Sequence, residues 1–282
     1  MKHPVIEKSL CSKCGKCVLV CHLDIITQKP GEFPTVNTNN WCNACGHCEA
    51  VCANRAISRF NILSDDKLEK QITPQQMRYF LLKKRSSRTF TSQQIDDKLL
   101  TRLIDTASMA PSAINGQERS FIIITDISSI NKLRQKVLKH LKKQRPFLKL
   151  MGSSIFSVFL PKDTVTHFKN LLTDFDIAIN KTESGKDYIF NNAACLVLFT
   201  GIGADPFGKD NALAAMHYLM IQAEAEGLSS CINGYLQSAP NLIKSMAKLP
   251  PLHKVFGAIT LGYSDIVYHS GVLRKQPVTI NI

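Results

Sequence analysis

The chain has 282 residues, of which 44% are apolar and 20% charged, and its formal net charge is +13 at pH 7. These values are ordinary for a globular protein and leave room for one large domain or two unequal ones. No apolar run approaches the roughly eighteen residues of a membrane span, and the start, MKHPVIEKSLCSK, lacks the apolar stretch of a secretory signal. We therefore expect a cytoplasmic protein, in which clustered cysteines are metal ligands rather than disulfides.

Two cysteine runs, CSKCGKCVLVC and CNACGHCEAVC, stand near the start and form the only internal repeat of the sequence. Both have the spacing C-x2-C-x2-C-x3-C. Three thiols at steps of three let one tight loop wrap three corners of a cube, and the fourth follows on a short helix. Structural zinc is the alternative, but zinc sites usually pair two C-x2-C knuckles over a longer gap. The eight cysteines are Cys11, Cys14, Cys17, Cys21, Cys42, Cys45, Cys48 and Cys52.

This spacing resembles that of the bacterial two-cluster ferredoxins, and the resemblance covers residues 1–60. It implies two [4Fe–4S] clusters, with the fourth cysteine of each run binding the other cluster. The ligand sets it implies are Cys11, Cys14, Cys17 and Cys52 for one cluster, and Cys42, Cys45, Cys48 and Cys21 for the other. In the family a proline normally follows the fourth cysteine, but His22 and Ala53 stand there in this chain. We expect His22 to be exposed, with a hydrogen bond that tunes the cluster as the alternative.

The composition changes near residue 60. We expect a ferredoxin-like domain over residues 1–60, a linker over 61–74 and a second domain over 75–282. A domain of about sixty residues with few apolar side chains needs stabilisation beyond its hydrophobic core, which bound metal clusters supply.

Helices and strands alternate in the second domain. A helix is predicted to begin at Pro74, because proline suits the first helical position. A second helix, SQQIDDKLLTRLIDTASMA, should end at Pro111, with Gly116 permitting a turn. Three short apolar runs are typical of strands buried on both faces: 120–125, 194–200 and 255–263.

Two further segments are predicted to be helical. The segment 210–227 is apolar on most sides, so it belongs in a core or a subunit interface. Asn131–Lys149 carries apolar residues at helical spacing with many lysines and arginines between them. Its basic face is either solvated or a docking surface for an acidic redox partner. Nucleic acid and membrane partners are not expected, because aromatic interleaving and binding motifs are lacking. Strands separated by helices indicate a layered α/β arrangement, and we expect loops between 140 and 190 to shape the pocket.

Four motifs in the second domain point to a cofactor: KKRSSRTF, APSAINGQ, GLSSCING and VLRKQPV. Cations with hydroxyls suit a phosphate monoester, and small residues let a flat ring approach the backbone. In this order the four motifs resemble the flavin-dependent nitroreductase family, roughly over residues 75–282. The resemblance implies a three-layer α/β/α domain, bound FMN and a homodimer. The whole chain is therefore expected to be α+β, with a small two-cluster ferredoxin domain.

The resemblance also implies which residues hold FMN. Lys84 and Arg85 would face the phosphate, and Arg88 would lie near the N1–O2 edge of the ring, where positive charge stabilises reduced flavin. The full set is Lys84, Arg85, Ser86, Arg88, Pro111, Ser112, Ala113, Asn115, Gln117, Asn233, Gly234, Arg274 and Lys275.

Some of these residues have special positions in the family. The loop 111–117 would come from the partner subunit, and Asn233 with Gly234 would lie beside the flavin N5. The family often has Gln-Pro-Trp where this chain has Gln-Glu-Arg at 117–119, which puts the shape of the substrate pocket in question. Cys195 and Cys231 are expected to be small core residues, with Cys231 a candidate for lining the flavin pocket.

These expectations define an oxidoreductase that passes electrons between clusters and FMN to reduce an organic acceptor, such as a nitroaromatic or a quinone. The donor is NAD(P)H or reduced ferredoxin, and no G-x-G-x-x-G motif indicates a separate Rossmann domain. No protein acid or base is evident, so the chemistry is centred on the flavin. The alternatives are an electron-transfer module that relays electrons between carrier proteins without a small substrate and, thirdly, a redox sensor.

Overall fold

A computed structural model describes residues 3–58, 72–153, 155–244, 249–272 and 274–280. The chain divides into two compact units. The first comprises Met1–Thr73 with Ser112–Gly116, and the second comprises Pro74–Pro111 with Gln117–Ile282. The predicted linker, 61–74, lies outside the described residues except for its last three positions. The short segment Ser112–Gly116 groups with the first unit, which differs from the predicted boundaries.

The first unit contains two small antiparallel sheets and two short helices. Strand β1 pairs with β4, and β2 pairs with β3. Its core packs Ile25, Ile26 and Ile57 with the buried Cys17 and Cys48. The elements are β1 (Val5–Ile6), α1 (Lys16–Leu19), β2 (Ile26–Thr27), β3 (Thr35–Val36), α2 (His47–Ala50) and β4 (Ile57–Ser58).

The two cysteine runs follow the same backbone path. Between its first two cysteines each run has a non-glycine residue with positive φ, Lys13 at 59° and Ala44 at 53°. Each run then has a left-handed glycine before its helix, Gly15 at 71° and Gly46 at 74°. A left-handed residue reverses the backbone within one position, so each run curls into a tight loop.

The second unit contains a four-stranded sheet in the order β5-β6-β8-β7. Its strand pairings are all antiparallel. The longer elements are α3 (Pro74–Lys83), α4 (Asp97–Ser108), β5 (Arg119–Ile124), α5 (Ile127–Met151), α6 (Lys162–Glu183), β6 (Cys195–Ile202), α7 (Gly208–Ala225), β7 (Ser229–Ile232) and β8 (His253–Gly262). The shorter helices are α8 (Gly234–Gln237) and α9 (Pro240–Lys244).

The sheet lies between two helical layers. Alternate residues of β6 pack against opposite layers, Val197 on the side of α4 and α7 and Leu198 on the side of α5 and α6. This three-layer arrangement agrees with the sequence prediction. Strand β5 differs from the prediction of a strand buried on both faces. It forms an edge of the sheet and is only half-buried, with Ile123 40% exposed.

Helix α7 belongs to the core of the unit, one of the two places predicted for its segment. Met216 and Leu219 are buried against the sheet and α4. A Cβ at Gly257 of β8 would lie 2.9 Å from Met216 Sδ, so glycine permits this close packing.

One other prediction is wrong. The stretch 140–190 consists mainly of helices rather than loops, namely α5, which continues through Pro146, and α6. The turn predicted at Gly116 is present, since the Gly116 N–H donates to the Ala113 carbonyl at 2.9 Å. Gly116 itself has φ −62°, whereas Ile114, Asn115 and Gln117 have positive φ. Within the described residues, no helix has both the length and the apolar character that a membrane span requires.

Candidate functional site

The first unit has a cavity lined by thiols from both cysteine runs. Cys21 of the first run lies there with Cys42, Cys45 and Cys48 of the second. Burial, together with the neighbouring Cys45, Cys21 and Cys42 thiols, raises the pKa of Cys48 to about 11. The fold thus groups three thiols of one run with the fourth thiol of the other, the set that the ferredoxin resemblance implies.

The other thiols of the first run form a second group. Burial is the main cause of the raised pKa of Cys17, and the Cys11 and Cys14 thiols raise it further. The Sγ atom of Cys52 accepts a hydrogen bond from the Ala56 N–H at 3.2 Å. Soft thiolates are the usual ligands of iron–sulfur clusters, so the donor set fits such a group.

In the part of the chain that the structure describes, no group of three or more His, Cys, Asp or Glu side chains is arranged to hold one metal ion. Exposed His22 lines the same cavity, and its Nε2 lies 3.4 Å from the Asn43 side-chain amide.

The second unit has a cavity of about 620 Å³ lined by four cations and five apolar residues, which we call the cationic cavity. Lys84, Arg85 and Arg274, all predicted to hold a phosphate, meet here with Arg78. None of the described residues that line it is acidic. Arg78 was not predicted from the sequence; it lies on α3, before the KKRSSRTF motif.

A second cavity of about 290 Å³ lies beside the C-terminal end of strand β7. It brings together the predicted residues Arg88, Asn233 and Gly234 with Cys231. The KKRSSRTF motif lies beside β7, because the Ser87 N–H donates to the Ser230 carbonyl at 3.1 Å.

Asn233 fixes the end of β7 rather than pointing freely into the cavity. Its side-chain amide donates to the Ile189 carbonyl at 2.7 Å, and its side-chain oxygen accepts from the Leu236 N–H at 2.9 Å. Beside Gly234 the space is open, since a Cβ built there would have no neighbour within 4 Å. The backbone at Gly234 is therefore accessible to a flat ligand.

The same cavity contains a hydrogen-bonded pair, Tyr235 and Asp174, that was not predicted from the sequence. The Tyr235 hydroxyl donates to Asp174 Oδ2 at 2.9 Å. Burial and this carboxylate raise the pKa of Tyr235, so the hydroxyl keeps its proton at neutral pH. Asp174 lies on α6, and no local motif marks it.

The loop after α4 is divided between the units. Ser112, Ala113 and Asn115 belong to the first unit, while Pro111 and Gln117 belong to the second. The Asn115 side-chain amide donates to the carbonyls of Asn43 and Ala44 at 3.1 and 3.0 Å. A role for these residues toward FMN stays a prediction.

The remaining predicted residues lie at the surface. Ser86 is exposed and forms an isolated bridge with Ser230 of β7. Lys275 is exposed in the C-terminal segment, and it is not part of the lining described for either cavity.

Arg119, where the related family often has tryptophan, closes the end of α4. Its guanidinium donates to the carbonyls of Ser108 at 2.6 Å and Ala110 at 2.7 Å. These carbonyls lack helical partners, so the arginine acts as a C-terminal cap.

The three-layer unit with its cation-lined cavity has a mixed α/β nitroreductase-like fold. Residues 81–263 match the family described as the Nitroreductase family. The match spans more than half of the chain, and the chain therefore belongs to the nitroreductase family, whose members are oxidoreductases.

Solved structures share this fold at low sequence identity. A nitroreductase with bound FMN from Bacteroides fragilis is 17% identical with TM-score 0.54, covering 73% of this chain and 98% of its own. One with bound FMN from Desulfitobacterium hafniense is 14% identical with TM-score 0.53, covering 73% and 97%. An FMN-dependent nitroreductase from Clostridium difficile is 16% identical with TM-score 0.53, covering 74% and 100%. The comparison with curated proteins gives no match.

Proposed function

We propose that this chain is an FMN-dependent oxidoreductase in which two [4Fe–4S] clusters on the first unit exchange electrons with FMN on the second. When bound, FMN supplies transfer of one or two electrons, and the clusters supply transfer of single electrons. The acceptor is an organic molecule such as a nitroaromatic or a quinone, and the donor is NAD(P)H or reduced ferredoxin. The thiol-lined cavity, in a chain of the nitroreductase family, is the observation that carries this proposal.

The cysteines are the proposed cluster ligands in crossed sets. One cluster takes Cys11, Cys14, Cys17 and Cys52, and the other takes Cys42, Cys45, Cys48 and Cys21. The thiols must lose their protons on binding, so cluster assembly releases protons and is favoured by rising pH. The common cavity of Cys21 with the thiols of the second run supports the crossing.

The cations of the second unit are the proposed phosphate site. Lys84, Arg85 and Arg274 hold the FMN phosphate, and Arg78 adds a fourth positive charge. Arginine guanidinium groups suit phosphate oxygens because they donate two parallel hydrogen bonds. The absence of acidic residues from the described cavity lining supports this assignment.

The cavity along β7 is the proposed site of the flavin ring and of the acceptor. Arg88 stabilises negative charge on the reduced ring, and the open backbone at Gly234 leaves room for a flat group. The Tyr235 hydroxyl, held by Asp174, presents a protonated group to this cavity.

The test begins with full-length protein reconstituted without oxygen. We expect about eight irons and about one FMN per chain. Stopped-flow mixing with NADH, NADPH and reduced ferredoxin should bleach the flavin and cluster absorbance with one donor, followed by turnover of a nitroaromatic or a quinone. Protein that exchanges electrons with a carrier protein but turns over neither acceptor would support the relay module instead. If the protein bound FMN but no iron, it would be a flavoenzyme and the proposed clusters would be wrong.

A further inference from the structure

We propose that Asn115 is a positioning residue for the loop between Cys42 and Cys45, and that it thereby sets the reduction potential of the cluster on that loop. The proposal rests on the proposed clusters. It assigns Asn115 a role at the second cysteine run, and the contact with FMN that the family resemblance implies stays a separate prediction.

The contacts place the Asn115 amide on the backbone of this loop. Its Nδ2 donates to the Asn43 carbonyl at 3.1 Å and to the Ala44 carbonyl at 3.0 Å. These two residues are the whole connection between Cys42 and Cys45. Ala44 has φ 53°, which an L-residue adopts only when its surroundings hold it there. The asparagine is therefore bonded to the part of the loop that needs support.

The first cysteine run has an equivalent contact from a different residue. Gln28 Nε2 donates to the Lys13 carbonyl at 3.1 Å. Lys13 corresponds to Ala44 in the repeat and also has positive φ, at 59°. In both loops, a side-chain amide holds the carbonyl of the left-handed residue. Gln28 lies on the chain that follows the first run, whereas Asn115 lies on the segment between α4 and β5.

A held carbonyl also fixes an N–H group. In a trans peptide the N–H points opposite to the C=O. With the Asn43 and Ala44 carbonyls turned toward Asn115, the N–H groups of Ala44 and Cys45 point away from it. In the first loop the Lys13 N–H, which corresponds to the Ala44 N–H, donates to Cys11 Sγ at 3.4 Å. Gln28 holds the next peptide of that loop, through the Lys13 carbonyl. Hydrogen bonds to cluster sulfur are among the determinants of cluster potential, since they stabilise the more negative reduced state.

Loss of the amide donors should therefore lower the potential of one cluster. In Asn115→Asp the new carboxylate faces two carbonyl oxygens, so it repels them and adds negative charge near the cluster. We expect a tenfold fall in the reduction equilibrium constant of that cluster, about 59 mV for a one-electron couple. Asn115→Ala should lower the reduction potential by a smaller amount. Asn115→Gln keeps an amide donor, so its reduction potential should lie between those of Asn115→Ala and the wild type.

The matched control is Gln28→Glu, which makes the same chemical change at the first loop. Full-length holoprotein would be titrated with a reductant while the electron paramagnetic resonance of each cluster is followed. We expect Asn115→Asp to shift one cluster and Gln28→Glu the other. The shift from Asn115→Asp should vanish in a Cys21→Ser background, which lacks the second cluster. Iron content and melting temperature show that each variant is folded and loaded.

Two results would overturn the assignment while leaving the clusters intact. One is unchanged potentials in a fully loaded Asn115→Asp protein, and the other is a shift of the same cluster by both variants. If reconstituted wild-type protein contained no iron or sulfide, the proposed clusters would be wrong, and the role of Asn115 would be wrong with them.

Discussion

Two adjacent lysines, Lys83 and Lys84, show how burial separates residues that look alike in the sequence. Lys83 is exposed, whereas Lys84 is half-buried and lines the cationic cavity. Burial lowers the pKa of Lys84, and the charge of Glu224 opposes this shift. A bound phosphate would offset the cost of holding this ammonium group out of water. Of the two lysines, therefore, Lys84 should contribute to the affinity for FMN and Lys83 should not.

Substitution of the cavity cations should weaken FMN binding. Lys84→Ala and Arg274→Ala each remove a charge-assisted hydrogen bond, which contributes about 1.5–3 kcal/mol. We expect the FMN dissociation constant to rise roughly 10- to 100-fold, measured by flavin fluorescence during titration of apoprotein. Lys83→Ala is the control and should stay within about twofold of the wild type. Equal losses in Lys83→Ala and Lys84→Ala would contradict a phosphate site in this cavity.

At the scale of elements, the tight loop of each cysteine run agrees with prediction, because ligand spacing and loop geometry are local. The short helix differs from prediction, because it carries the third cysteine of each run and ends before the fourth. The helix starting at Pro74 and the strands around 194–200 and 255–263 also agree with prediction, since proline suits the first helical position and short continuous apolar runs are typical of buried strands. Strand β7 was not predicted as a strand, because its four residues, SSCI, contain two serines. The pairing with β8 overrides that weak local preference.

Crossed ligation makes a prediction about pairs of cysteine substitutions. Cys21→Ser and Cys48→Ser should remove the same cluster, so the double variant keeps about four of about eight irons. Cys21→Ser with Cys52→Ser should lose both clusters. Iron analysis and visible absorbance after anaerobic reconstitution measure the difference. Cys195→Ala is the control, because Cys195 is fully buried in the core of the second unit. Loss of both clusters in Cys21→Ser/Cys48→Ser would argue against the crossing.

At the scale of the whole molecule, the positive charge is partly balanced on α5. Arg134 pairs with buried Asp187 at 3.1 Å. Lys142 pairs with Glu183, and Arg145 pairs with Asp176. Three cations of the basic helix therefore help to pack it on α6 and on the segment after it. A docking role for its other cations stays a prediction.

Helix α3 leaves an apolar face exposed. No described residue of α3 is buried, and Leu81 and Leu82 line the cationic cavity together with Val272. Exposed apolar surface of this kind is typical of subunit interfaces. We propose that a second copy of the chain covers this face in a homodimer.

Charged residues on this face should dissociate the dimer. Leu81→Glu/Leu82→Glu would bury two carboxylates in the interface, so we expect a monomer by size-exclusion chromatography with light scattering. Val158→Glu is the control: Val158 is 81% exposed, outside this face, and its variant should remain dimeric. A monomeric wild type, or a dimeric double variant, would contradict the interface.

The sequence by itself determined the features that depend on neighbours along the chain. These are the thiol spacing, the order of most helices and strands, and the cations around Lys84. The ferredoxin resemblance also implied that Cys21 joins the second run, whereas only the tertiary structure brought Tyr235 beside Asp174 and Asn115 onto the Cys42–Cys45 loop. The physical reason is that such contacts join residues far apart in sequence, so packing of whole elements decides them and local preference does not.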